Sequence, residues 1–243
     1  MVYTIKKIMK NNLYFVLILF LFFQVSNAQE RSNRIYSYNI SEISFYKYNS
    51  KFQVKATKEF KNIKNEFPED LMRSILSCSN QEWEIFNTLG GKDKASIKNI
   101  SYYNSIKKMD VDKNYFELKH KLEFDIEGVP TSVLKFYFIA QDNPKPQAGI
   151  IVMQKYNDRW YKTSMEMISN IALTVLRLKS DEFEKIIGGD LSSIPLKEIN
   201  KKVFLNGKLD FNKLNTEINS WYADDSIDNK AKKDYFKDPF SIL

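Results

Sequence analysis

The sequence predicts an α+β protein, a curved antiparallel meander of four strands packed on a long helix, with additional helices toward the C-terminus. Three observations carry that expectation. Apolar and charged residues alternate with period two from Phe116 to Ile126. Short turn-like connections then follow at Gly128-Val129-Pro130, at 141–147 and at Asn157-Asp158. Apolar residues recur at helical spacing through Leu71, Ile75 and Cys78, and again through Ile168, Ile171, Ala172, Val175 and Leu176.

In chain order, the first element is an export signal. Lys6, Lys7 and Lys10 precede an unbroken apolar run of eleven residues from Leu13 to Phe23, and small residues stand at Ser26 and Ala28. This is the three-part pattern of a secretory signal peptide over 1–28, with cleavage expected between Ala28 and Gln29. A membrane-spanning helix needs about 20 apolar residues, so no transmembrane anchor is expected after cleavage. Gln29 stands where a lipoprotein signal would carry cysteine. The expected location is the periplasm of a Gram-negative bacterium, or secretion.

Residues 29–222 are expected to form a single domain, and residues 29–34 a frayed start. From Ile35 to Lys55, alternating Tyr36, Tyr38 and Ile40, then Ile43 with Phe45 and Tyr46 with Tyr48, suggest one or two strands. Pro68, Glu69 and Asp70 suit a helix start, and Gly90-Gly91 its end, with a break near Ser79 to Gln81. The stretch around Asn99, Asn104 and Asp110 reads as polar connection. Strands follow at 116–126, 131–140, 149–156 and 160–164; Pro144 and Pro146 are assigned to a loop because proline cannot donate to a ladder. Helices return from Ile168; Ser180 caps a second that stops at Gly188-Gly189, and Asp210 caps a third through Trp221. Residues 223–243 read as a charged, loosely ordered tail.

Strand, long helix, meander: over residues 35–165 this order resembles the cystatin-like and NTF2-like rolls, in which a curved sheet wraps a helix. The resemblance implies a concave sheet face that often forms a pocket, with 166–222 as a helical extension. It implies no particular activity, since such rolls host enzymes, binding modules and scaffolds.

Composition narrows the chemistry further. The 243 residues carry 37 basic and 30 acidic side chains; only three of these, all lysines, lie in 1–28, leaving 34 against 30. Arginine is limited to Arg31, Arg34, Arg73, Arg159 and Arg177, whereas nucleic-acid sites favour its planar fork. The lysines are interspersed with acids, and no polybasic run marks a membrane or nucleic-acid site. No nucleic-acid partner is expected. One cysteine excludes an internal disulfide, and one histidine with one cysteine excludes a closed zinc site. Asp110, Asp112 and Asn114 begin like a calcium loop, but Tyr115 replaces its glycine and Lys121 its closing glutamate. No cofactor and no metal are expected.

Two groups of residues remain as candidates. His120 lies on the apolar side of the 116–126 strand, either as a general base in a pocket with Tyr137 and Tyr156 or as a core histidine. Cys78 continues the apolar stripe of Leu71 and Ile75 and reads as a small buried hydrophobe rather than a nucleophile. Tyr36, Tyr38, Tyr46 and Tyr48 are interleaved with serine, asparagine and lysine, as a contact surface for a protein or glycan would be, or as ordinary sheet filling. The balance favours a non-enzymatic binding or assembly module of the bacterial envelope. The alternative is a small-molecule-binding protein, or an enzyme, with a concave-sheet pocket around His120.

Overall fold

The computed structural model describes residues 31–34, 43–49, 52–163 and 166–188, with 204–205, 208–210, 213–214, 216–217 and 220. The expected signal segment, Tyr36, Tyr38, Trp221 and the 223–243 tail lie outside the described residues. The chain has the α+β character read from its sequence, around an antiparallel sheet. That sheet contains β1 (Arg31–Arg34), β2 (Ile43–Lys47), β3 (Gln53–Lys55), β4 (Tyr115–Ile126), β5 (Val129–Ala140), β6 (Asn143–Tyr156) and β7 (Arg159–Lys162). Its order is β1-β2-β4-β5-β6-β7, with β3 also beside β4.

It is therefore wider than four strands. Consecutive strands β4 to β7 pair antiparallel through short turns. The added width comes from the aromatic segment before the helices. β2 pairs with His120–Glu123 and β3 with Tyr115–Glu117, along one edge of β4. Between them Tyr48 N–H donates to the Lys119 carbonyl (2.9 Å) and Leu118 N–H to the Phe52 carbonyl (2.9 Å). Residues 31–34, expected to fray, pair with β2 as β1.

A bulge in β4 corrects the simple reading of its alternation. Leu118 pairs with Phe136 but His120 with Lys135, and adjacent β5 residues point to opposite faces. The apolar series from Phe116 to Ile126 is thus split between the two sides of the sheet. Phe116 and Leu118 join Leu71, Met72, Met153 and Trp160 in one core. Leu122, Phe124 and Ile126 join Ile168, Val175, Phe183 and Ile187 in another.

Helices cover each core. α1 (Pro68–Leu76) lies on the first, and α2 (Gln81–Asn87), separated from it as the sequence suggests near Ser79, places Trp83 in a third, smaller cluster with Cys78 and Tyr103. Proline opens α1, Asp70 accepts the Phe67 N–H (3.2 Å), and Asn80 caps α2 by accepting the Trp83 N–H (2.8 Å). α3 (Ile100–Lys108) falls where the sequence suggested only connection; Asn99 caps it through the Tyr102 N–H (2.8 Å). α4 (Glu166–Arg177) and α5 (Ser180–Gly188) supply the second core. A two-residue hairpin, β8 (Phe204–Leu205) with β9 (Lys208–Leu209), precedes Asp210, which accepts the Lys213 N–H (3.1 Å) in N-cap fashion.

β6 starts at Asn143, six residues earlier than expected, and so contains Pro144 and Pro146. Thr163 N–H donates to the Val152 carbonyl (3.0 Å) from the β7 side. The ladder groups of a strand alternate in direction, so even-numbered residues of β6 turn toward that outer edge. β7 pairs only with Met153–Tyr156, leaving the outer edge at Pro146 without a described neighbouring strand. Proline is tolerated there because no N–H is required of it.

Candidate functional site

His120 follows the bulge and is fully buried. Its ring stacks on Phe183 (5.4 Å between centroids, 6° between planes) and tilts against Phe45 (5.3 Å). Nδ1 lies 2.8 Å from Oγ of Ser180, the first residue of α5, while Nε2 has no hydrogen-bond partner among the described residues. The tautomer in which Nδ1–H donates to Ser180 leaves a bare lone pair at Nε2, which costs less than an orphaned N–H. Burial holds the imidazole well below its ordinary pKa, and the nearby positive charges of Lys135 and Lys47 push it the same way. His120 is neutral and ties the sheet to α5.

Those two lysines are anchored by different means. Lys135, paired across the strands with His120, is also fully buried, and its ammonium donates to the Leu178 carbonyl (2.6 Å) just beyond α4. A cation at a helix C-terminus meets unsatisfied carbonyls and the negative end of the helix dipole, which helps offset its desolvation. Lys47, opposite His120 on β2, contacts Asp181 (2.6 Å) and Glu184 (2.9 Å) of α5. The Asp181 bond, then the Glu184 interactions, hold its pKa above the usual value against an opposing effect of burial.

Tyr137 shares the His120 face two residues beyond Lys135, with the Lys119 ammonium 4.2 Å from its ring centre. Tyr156 does not join them. Tyr137 pairs with Ala148, and Tyr156 lies eight residues farther along β6, roughly 27 Å at ~3.4 Å per residue. Tyr46 pairs with Lys121 on the opposite face from His120 and lies under that ammonium at 5.1 Å. Tyr48 is buried, its hydroxyl donating to Glu69. Burial first, and the Glu69 carboxylate second, push the Tyr48 phenol well above its normal range. Lys121 completes this cluster by bridging Glu69 (2.9 Å) and Glu123 (3.1 Å). Burial opposes its charge, but the two carboxylates outweigh it and raise its pKa.

Cys78 is buried between α1 and α2, where its Sγ–H donates to Glu84 Oε2 (3.2 Å); Glu84 in turn holds Lys162 of β7. Burial, then the Glu84 carboxylate, push the thiol up to about 12. At pH 8 about one molecule in 10⁴ would carry the thiolate. Iodoacetamide is therefore expected to label Cys78 only as the chain unfolds, its labelling tracking the urea transition. Stoichiometric labelling of the native protein within minutes would show a reactive thiol instead.

A surface cleft of about 160 Å³ opens elsewhere, between the 56–58 segment, the end of α1 and the end of α3. Thr57, Lys58, Ser77, Ser79, Lys107 and Met109 are among its walls. Thr57 N–H donates to Ser77 Oγ (2.7 Å), which holds one wall to the other. Among the described residues, no three His, Cys, Asp or Glu side chains are grouped to hold a metal ion, and no helix is long and apolar enough to cross a membrane.

The sequence did not mark Lys135 as buried, because it stands as a single charge in an otherwise apolar strand. Nor did it disclose the Glu84–Lys162 pair, whose partners are 78 residues apart. The chain matches no family model, no curated protein and no solved structure.

Proposed function

We propose that the chain is an exported protein of the bacterial envelope, cleaved after Ala28, that acts by binding or assembly rather than by turnover. The observation that carries this reading is a contrast in where reactive and unpaired groups lie. His120 and Cys78 are enclosed and tied to internal partners, whereas lysines without an ion pair among the described residues, and bare apolar side chains, gather on the exposed 92–108 segment. The strand–helix–meander order is read, within this proposal, as a roll of the cystatin-like or NTF2-like kind, an architecture that serves binding as readily as catalysis.

A second reading, small-molecule binding, is favoured by the cleft beside Ser79 and Lys107. Native mass spectrometry of the protein gently recovered from its host's envelope separates the two. A form beginning at Gln29 and held in a defined assembly is the expected result. A full-length form, with the leader retained, would sink the export proposal. A small adduct that persists through purification and is lost in a His120→Ala variant would move the function to a pocket on the His120 face; one lost in Ser79→Ala would move it to the cleft.

A further inference from the structure

Ion pairing is uneven over this molecule. Lys47, Lys55, Lys113, Lys121 and Lys162 each meet a carboxylate within 4 Å. Lys92, Lys94, Lys98, Lys107 and Lys108 are all exposed and make no ion pair among the described residues. One acid, Asp93, accompanies these five in the 92–108 segment. Along the sequence the lysines look diluted by acids; the fold uses many of those acids in pairs elsewhere and leaves this segment cationic.

The same segment exposes apolar side chains that a purely solvated face would not need. Ile100 is 77% exposed, Tyr102 43% and Ile97 40%. Tyr103 is its one buried side chain, packed with Cys78 and Trp83, and its hydroxyl accepts the Lys98 N–H (3.1 Å). The surface is thus presented by a single aromatic anchor. The cleft adjoins it, with Lys58 and Lys107 on its walls beside the hydroxyls of Thr57 and Ser79, a cationic recess suited to a phosphate headgroup.

We propose that the 92–108 segment docks on an anionic phospholipid bilayer, its lysines meeting headgroup phosphates while Ile97 and Ile100 enter the interface. Charge and apolar exposure together fit a membrane surface better than a soluble polyanion, which would use the lysines alone. This deepens the binding reading by naming the partner, and depends on export only for which membrane is met.

The test is co-sedimentation of the exported, leader-free protein with vesicles of phosphatidylcholine, with and without phosphatidylglycerol. Uptake is expected on the anionic vesicles alone, weakening as salt is raised. Each lysine near such a surface contributes about fivefold, so replacing Lys94, Lys98 and Lys108 by glutamine should lower partitioning about a hundredfold. Ile100→Asp should lower it as well, while Lys155→Gln, which removes a paired surface lysine, should leave it unchanged. Equal uptake on neutral vesicles, or an unaltered triple variant that melts like the parent, would overturn the proposal. Capture by dextran sulfate without vesicle uptake would overturn it in favour of a soluble anionic glycan. Vesicle binding by a protein that its host does not export would sink the envelope reading and leave this surface standing.

Discussion

Replacing Trp83 by alanine is expected to destabilise the protein by about 3–5 kcal/mol, the range for emptying a buried aromatic site. Trp83 is enclosed between α1, α2 and the Tyr103 anchor of α3, and its ring tilts against Phe60 at 5.1 Å. Its Nε1–H donates to Ser74 Oγ (2.7 Å), and Ser74 passes a hydrogen bond to Asn87 Oδ1 (2.6 Å). Asn65 Nδ2 donates to that same oxygen (3.2 Å), while the Asn65 carbonyl accepts the Trp160 N–H (2.8 Å). Asn65 adopts a left-handed φ of 54°, which asparagine tolerates better than most residues. The network thus joins two helices, a strained loop and β7. Trp83→Phe keeps most of the ring volume and leaves Ser74 its bond to Asn87, so it should cost about 1–2 kcal/mol. Urea midpoints of the two variants check the ratio. Equal losses would assign the site's stability to the indole hydrogen bond instead of to packing.

What could be read from the sequence was what local pattern encodes. Period two located β4, proline with acids located α1, and Ser180 marked the start of α5. The failures share a cause, since each depends on what lies across space. α3 was missed because only Tyr103 faces inward, too little burial to impose a helical stripe. The bulge cannot be seen in alternation, because Phe116 and Phe124 keep the same parity along the chain while packing on opposite sides of the sheet. Pro146 argued correctly against an interior strand and wrongly against an edge one. The candidate pocket split for a related reason: His120 and Tyr156 share a face but not a neighbourhood. The cationic surface was hidden by counting charges along the chain, where Lys113 beside Asp110 resembles Lys94 beside Asp93. Only the folded pairing separates a lysine with a carboxylate at 3.5 Å from one without.

Whether a pocket is open on the His120 face can be tested at His120 itself, and pH is the lever that exposes it. Its folded pKa is depressed well below 6.5, so the unfolded chain takes up a proton that the fold resists. Stability from this group is present above pH 6.5, and is lost as pH falls below that value toward the depressed folded pKa. The slope of the loss approaches about 1.4 kcal/mol per pH unit, so it amounts to at most about 2 kcal/mol between pH 6.5 and 5. Other groups also titrate in acid, which is why the comparison must be with His120→Phe. That variant keeps a ring between Phe45 and Phe183 and removes the titration, while half-exposed Ser180 can turn to water. The variant should therefore lie within about 1 kcal/mol of the parent at pH 7.5 and gain on it as pH falls, by at most about 2 kcal/mol at pH 5. Asp181 and Glu184 do not cancel the effect, because both are engaged by Lys47, whose charge faces the ring. Parallel stability curves would mean that the imidazole is protonated as easily folded as unfolded. That result would require an open path from solvent to Nε2, the condition a catalytic or ligand-binding histidine needs and an enclosed one lacks.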